Sequence, residues 1–167
     1  MKNKILALFI AFLLSGTNLS AQEAENNEVI NRSNELGMHA GFTTGLGLSF
    51  RHWSDKFGVQ ITAIPIKAND FQFISAGLTG MYSLSNQKYY RFYLYLGNHI
   101  LLVNNSTTWD GRNVNENIYN IGFGPGFEVG RKVRFNIMAG YGAYDLLNAP
   151  DYSLLPTIEA GLYFKLK

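Results

Sequence analysis

Beyond residue 35 the chain alternates. In "GLGLSFRHW", Leu46, Leu48 and Phe50 fall on one face, and Gly45, Gly47, Ser49 and Arg51 on the other. In "YYRFYLYLGNHI", Tyr90, Phe92, Leu94, Leu96 and Ile100 oppose Arg91, Tyr93, Tyr95, Gly97 and His99. "VRFNIMAGYGAY" sets Val133, Phe135, Ile137, Ala139 and Tyr141 against Arg134, Asn136, Met138, Gly140 and Gly142. "TIEAGLYFKLK" repeats the rule, with Ile158, Ala160, Leu162, Phe164 and Leu166 on the apolar side. A period of two belongs to strands, whose successive side chains point to opposite faces. No comparable segment carries a helical stripe.

The pattern predicts eight strands, at 35–43, 45–53, 57–67, 71–84, 88–103, 115–130, 133–147 and 153–166. The connections "SDK", "SNQ" and "GR" are short. "KAND", "NNSTTWDGRNVN" and "NAPDYS" are longer and carry the Asn, Asp, Gly and Pro of turns. The first connection, near Thr43–Thr44, is very tight. An even strand count lets an antiparallel sheet close on itself. Short turns at one end and longer loops at the other are the pattern of a bacterial outer-membrane barrel. Most segments reach the roughly 9–11 residues that a tilted strand needs to cross a bilayer. The predicted fold is thus all-β, an eight-stranded antiparallel up-and-down transmembrane β-barrel.

Composition supports a sheet facing lipid. Charged residues make up 16% of the chain and aromatics 14%, with 17 glycines, against a charged share of about 25% in ordinary soluble domains. There is no Cys, so neither a disulfide nor a lipid-modified N-terminal Cys is available. The start, "MKNKILALFIAFLLSGTNLSAQ", has basic Lys2 and Lys4, an apolar run from Ile5 to Leu14, and small residues before Ala21. That is the order of a secretory signal peptide, and the run is about half the ~20 residues of a spanning helix. The expected organisation is a signal peptide at 1–21, a flexible polar tail at 22–34, and a barrel domain at 35–167. Removing Lys2 and Lys4 leaves equal numbers of basic and acidic residues, so no basic surface points to nucleic acid.

Which face meets lipid follows from the polar face, which is rich in Gly, Ser, Thr, Asn and Tyr and too poor in charge to be a soluble exterior. The apolar face is expected outside. A soluble lipocalin-like binding barrel, with the faces reversed, is the alternative. With the short turns at the periplasmic end, Arg51, Arg91, Glu128, Arg134 and Glu159 are expected to meet in that half of the interior. Buried ions need partners, so these five form an expected salt-bridge network plugging the lumen. Trp53, Phe57, Tyr89 and Tyr90, near the same end, are expected in the headgroup zone, with His52 facing outward.

"GLGLSFRHWSDKFGVQ" and "EAGLYFKL" carry a resemblance. The first is similar to the second strand, periplasmic turn and third strand of the small eight-stranded outer-membrane barrels of the OmpX and OmpA-transmembrane type. The second resembles the terminal signal read by the barrel assembly machinery, with Glu159, Gly161, Phe164 and Leu166 in its slots. Lys167 departs from the aromatic end usual there. The resemblance spans about residues 35–167. It implies outer-membrane insertion, contact with outer-membrane lipid and with the assembly machinery, loops at the cell surface, and a monomer. The group includes structural and adhesion-related barrels, narrow small-solute channels and a few lipid-modifying enzymes, so the fold alone does not choose among them.

Catalytic chemistry finds little footing. His39 and His99 fall on inward positions of non-adjacent strands, and neither "GxSxG" nor "HExxH" occurs. A lipid-deacylating enzyme would need a lipid-accessible His–Ser pair near the surface end, and the sequence offers no evident pair. Three scattered His without Cys make no metal set; no cofactor is expected. "YNIGFGPGFEVGRKVRF" has the look of a phosphate loop but lacks the third fingerprint Gly, since Phe127 stands there. It reads as a strand with Gly122, Gly124 and Gly126 hollowing the inner face, and with a bulge or local distortion expected at Pro125. The inward glycines, with Gly97, Gly140, Gly142 and Gly161, leave space that Tyr93, Tyr95, Tyr144 and Arg91 can fill, so at most a narrow channel is expected. The predicted role is structural or surface-interacting. It is carried by the loop at 104–117, where Trp109, Asp110 and Arg112 are the candidate contacts for an extracellular partner.

Overall fold

The computed structural model of the chain describes residues 32–68, 71–105, 114–148 and 154–166. The expected signal peptide, nearly all of the tail, and Trp109, Asp110 and Arg112 lie outside the described residues. Eight strands follow in order: β1 (Ser33–Gly41), β2 (Gly45–Ser54), β3 (Phe57–Lys67), β4 (Phe71–Asn86), β5 (Tyr90–Asn105), β6 (Val114–Gly130), β7 (Val133–Ala143) and β8 (Leu154–Lys165). Each pairs antiparallel with its sequence neighbours, and β1 pairs with β8 to close the barrel. Closure leaves no edge around the common girth of the sheet, so the backbone donors and acceptors there are met by neighbouring strands.

The burial alternation matches the sequence period. Leu36, Met38, Leu48, Phe50, Ile61, Leu94, Leu96, Phe127, Phe135 and Phe164 are exposed on the outer face. The inner face buries Glu35, Arg51, Gln60, Thr79, Arg91, Glu128, Asn136 and Glu159. The protein is therefore apolar outside and polar inside around its girth.

The strands are unequal. β1 and β2 have 9 and 10 residues, whereas β4, β5 and β6 have 16, 16 and 17. The β2–β3 ladder stops at Leu48↔Ala63, but β3–β4 continues to Lys67↔Gln72. Likewise β6–β7 stops at Ile121↔Ala143, but β5–β6 runs on to Asn105↔Val114. Strands β3–β6 thus rise as a ledge above the low β1–β2 hairpin.

Several local expectations change. β1 begins at Ser33, opposite Trp53, inside the span expected to be a tail. It ends at Gly41 rather than near 43, because Phe42–Thr44 form the turn and Gly45 follows at φ 96°, a left-handed value that favours glycine. β7 ends at Ala143 because Asp145 takes φ 54° and residues 146–148 turn. At Pro125 the expected disturbance is a local break in the ladder and not a bulge. The β6–β7 register is the same on both sides of it, Phe123↔Tyr141 and Gly126↔Met138, with a gap in the ladder between them. Its β5 partner is Leu94. The register shift lies instead between Ser83 and Ser85 of β4, where no Pro or Gly marks it. Trp53 is not in a headgroup girdle: it is fully buried, because it shares the inward parity of Arg51. Phe57, Tyr89 and Tyr90 are exposed near that end as expected.

Candidate functional site: two layers inside the barrel

The lower layer sits toward the short turns and centres on Glu128. Arg51 Nη1 donates to Glu128 Oε2 at 2.7 Å and Arg91 Nη1 to Oε1 at 2.8 Å. Arg134 Nη1 also donates to Oε1. One carboxylate from β6 thus gathers guanidinium groups from β2, β5 and β7. Glu35, from β1, lies 3.8 Å from Arg51 and 3.6 Å from Arg134. Arg51 also donates to Gln60 Oε1, at 2.7 and 3.2 Å.

Aromatic rings complete this layer. The Arg51 guanidinium lies 3.8 Å from the Tyr163 ring centre, and that of Arg91 lies 4.0 Å from Trp53. Trp53 meets Tyr93 edge-on at 5.5 Å. Tyr93 fits because Gly126 opposes it; a Cβ at 126 would lie 2.4 Å from its ring. Asn136 Nδ2 donates to the Tyr93 hydroxyl. Cation–π contact and ion pairing together offset the loss of water around these buried charges.

Four of the five residues expected to meet here do so: Arg51, Arg91, Glu128 and Arg134. Glu159 does not join them. Glu35, which sequence reasoning missed, takes the second acidic place. Its signal was its parity, since Glu35, Gly37 and His39 share one face of β1.

The upper layer is built on the Phe42–Thr44 turn, which folds into the lumen. Glu159 Oε1 accepts from Thr43 N at 2.9 Å, Thr43 Oγ1 at 2.5 Å and Thr157 Oγ1 at 3.2 Å. Glu159 Oε2 accepts from Thr44 Oγ1. Since the Thr44 hydroxyl proton goes to Glu159, His39 Nε2, 2.6 Å away, must donate to Thr44 Oγ1. The Phe42 carbonyl accepts from His99 Nδ1 at 2.9 Å and Asn120 Nδ2 at 2.8 Å. Side chains from β1, β5, β6 and β8 therefore clasp one turn.

Glycines make the room. A Cβ at Gly77, Gly97, Gly122 or Gly142 would lie between 2.1 and 2.6 Å from atoms of Thr43 or Thr44. The hollow read from the sequence as space for tyrosines is, at this level, the seat of the turn.

Ser75 and His99 do meet, with Ser75 Oγ 2.9 Å from His99 Nε2. Because His99 Nδ1 donates to the Phe42 carbonyl, Nε2 accepts from the serine. Ser75 Oγ in turn accepts from Leu46 N at 2.9 Å. Both partners hold the β1–β2 hairpin, and Ser75 is fully buried. The pair is a structural clasp rather than an accessible nucleophile with its base. Among the described residues no group of acidic and His side chains is gathered for a metal ion.

No family model and no curated protein matches the chain. Solved structures are similar to it, among them two that cover about four fifths of this chain. One is the N-terminal β-barrel domain of Pseudomonas aeruginosa OprF, at 14% identity, TM-score 0.47, over 80% of this chain and 96% of that one. The other is Neisserial surface protein A (NspA), at 12% identity, TM-score 0.47, over 81% and 94%. The barrel itself is read from this chain's own ladders, which close β1 on β8.

Proposed function

We propose that the protein is an integral outer-membrane barrel, side-chain-plugged and monomeric, with a structural or surface-interaction role. The observation that carries this reading is the inversion of its faces. Soluble monomers rarely expose large contiguous apolar patches, yet Leu, Phe, Ile and Val side chains cover the girth of this barrel while its ions lie inside. Lipid is the solvent that suits such a surface, and a closed sheet is one of the two structures able to cross it. The same arrangement runs against a lipocalin-like barrel, whose apolar face would line the interior.

The two interior layers leave no wide path, so the barrel is closed to solutes of porin size. The segment between β5 and β6, residues 106–113 and shorter than the expected 104–117, carries contact with an extracellular partner through Trp109, Asp110 and Arg112. The barrel assembly machinery reads β8 through Glu159, Gly161, Phe164 and Leu166. Phe164 and Leu166 face outward here, while Glu159 is also the anchor of the inner turn. Export through the signal peptide places the mature chain in the bacterial outer membrane.

Membrane fractionation tests the reading. Extraction only by detergent, with heat-modifiable migration on a gel, is the expected result. Recovery as a soluble periplasmic protein would overturn it. Deleting residues within 106–113 should leave heat-modifiability unchanged and abolish adhesion of the cells; loss of folding would make the segment structural instead.

A further inference from the structure

Around the girth the barrel is apolar outside and polar inside, but on the ledge the inner face turns largely apolar. Directly paired residues share a face. The pairs Thr62↔Gly77, Gly77↔His99 and His99↔Asn120 form the last polar inner row. The next inner row is Ile64, Ser75, Leu101 and Ile118, and the one above it Ile66, Phe73, Val103 and Glu116. The outer row at the top is Lys67, Gln72, Asn104 and Asn115. The outer row just below it, Pro65, Ile74, Leu102 and Asn117, is still mostly apolar, so the outside suits water only at the top of the ledge, while much of the inside is apolar.

A cavity of about 460 Å³ lies against this inner wall, within the roughly 300–1,000 Å³ of small-molecule sites. Lumen-facing Phe73 and Leu101 line one side, and Leu46 and Ile158 of the outer apolar surface line the other, with Phe42 of the turn also in the wall. Ala40 and Ala160 are cross-strand partners that also line it. Among the bulky outer side chains this alanine pair is a dip. The cavity is therefore continuous with the lipid-facing surface across the low β8–β1–β2 rim.

His99 and Glu159 reach the cavity, but their polar atoms are already engaged: His99 by Phe42 and Ser75, and Glu159 by Thr43, Thr44 and Thr157. An occupant has no buried side-chain polar atom left to satisfy here, and the rest of the lining is mostly apolar.

We propose that this cavity takes one acyl chain of a lipid in the surrounding outer leaflet, entering sideways over the Ala40–Ala160 dip. The proposal rests on the membrane reading above and adds a binding site to it. The probe is palmitic acid carrying a diazirine near its methyl end, photolysed with the full-length protein in phosphatidylcholine vesicles. Labelled residues are then located by mass spectrometry. Label is expected on lumen-facing Phe73 and Leu101 as well as on belt residues such as Leu94 and Leu96. Ala160→Trp, which points into lipid and spares the interior, should remove the Phe73 and Leu101 label and keep the belt label. Label confined to the belt in the unaltered protein, or unchanged lumen label in Ala160→Trp, would overturn the site. Heat-modifiable migration of the same sample separates the two readings: a barrel that inserts but binds no chain in the cavity refutes only this inference.

Discussion

The two layers of the interior hold charge in different ways. Around Glu128, every charged partner stands on a strand, and each strand is fixed by ladders on both sides. Around Glu159, the partners include a turn, so the carboxylate holds a connection, not a strand, against the wall. The lower layer fastens strands that closure already fastens. The upper layer determines whether the lumen is filled at the level of the Phe42–Thr44 turn. Burial is equally complete in both, yet removing the anchor should have different consequences.

Glu128→Gln should give the largest effect. It strands Arg51, Arg91 and Arg134 with only Glu35 for compensation. Breaking a buried pair from one side costs about 3–5 kcal/mol, and the loss should appear as a lower urea midpoint for unfolding from vesicles. A loss smaller than that of the Glu159 variant would break the comparison. Glu159→Gln removes a carboxylate that accepts several hydrogen bonds. Bonds to a charged group contribute about 1.5–3 kcal/mol, so a smaller shift in midpoint is expected. Planar-bilayer recording should show new small conductance events in Glu159→Gln and none in Glu128→Gln. The opposite pattern would place the seal in the lower layer.

Gly122→Val tests the seat of the turn without touching a charge. Overpacking costs about 1–3 kcal/mol, and the added side chain should displace Thr43. Increased proteolysis or hydrogen exchange at Phe42–Thr44, with the barrel still folded, is the expected readout. Thr44→Ala should give the smallest change, about 1 kcal/mol, since Thr43 N, Thr43 Oγ1 and Thr157 still reach Glu159.

The same contrast explains what could be read from the chain. Strand order and number were legible because alternation is local: Leu94, Leu96 and their neighbours state their own facing. The lower layer was largely legible because Arg51, Arg91, Glu128 and Arg134 lie a few residues from short turns, which set their level. Trp53 and Glu35 were misjudged although parity alone placed both inside. The aromatic character of Trp53 suggested an interface, and Glu35 stood next to a polar tail. The upper layer was not legible. Its making depends on a turn that folds back across the lumen, and Gly77, Gly97, Gly122 and Gly142 come from β4, β5, β6 and β7. No local pattern announces that they share one level. The ledge was partly legible from the long fourth, fifth and sixth strands, but its apolar inner wall emerges only from cross-strand register.

The central claim is that the apolar face meets lipid. The chain has no Cys, so single cysteines can be placed and spin-labelled along β5 without background. In vesicles, labels at Phe92, Leu94 and Leu96 should be relaxed by oxygen and shielded from a water-soluble nickel complex, while labels at Tyr93 and Tyr95 should be shielded from oxygen. Ready access of the nickel complex to positions 94 and 96, equal to that of a free label in water, would contradict the account.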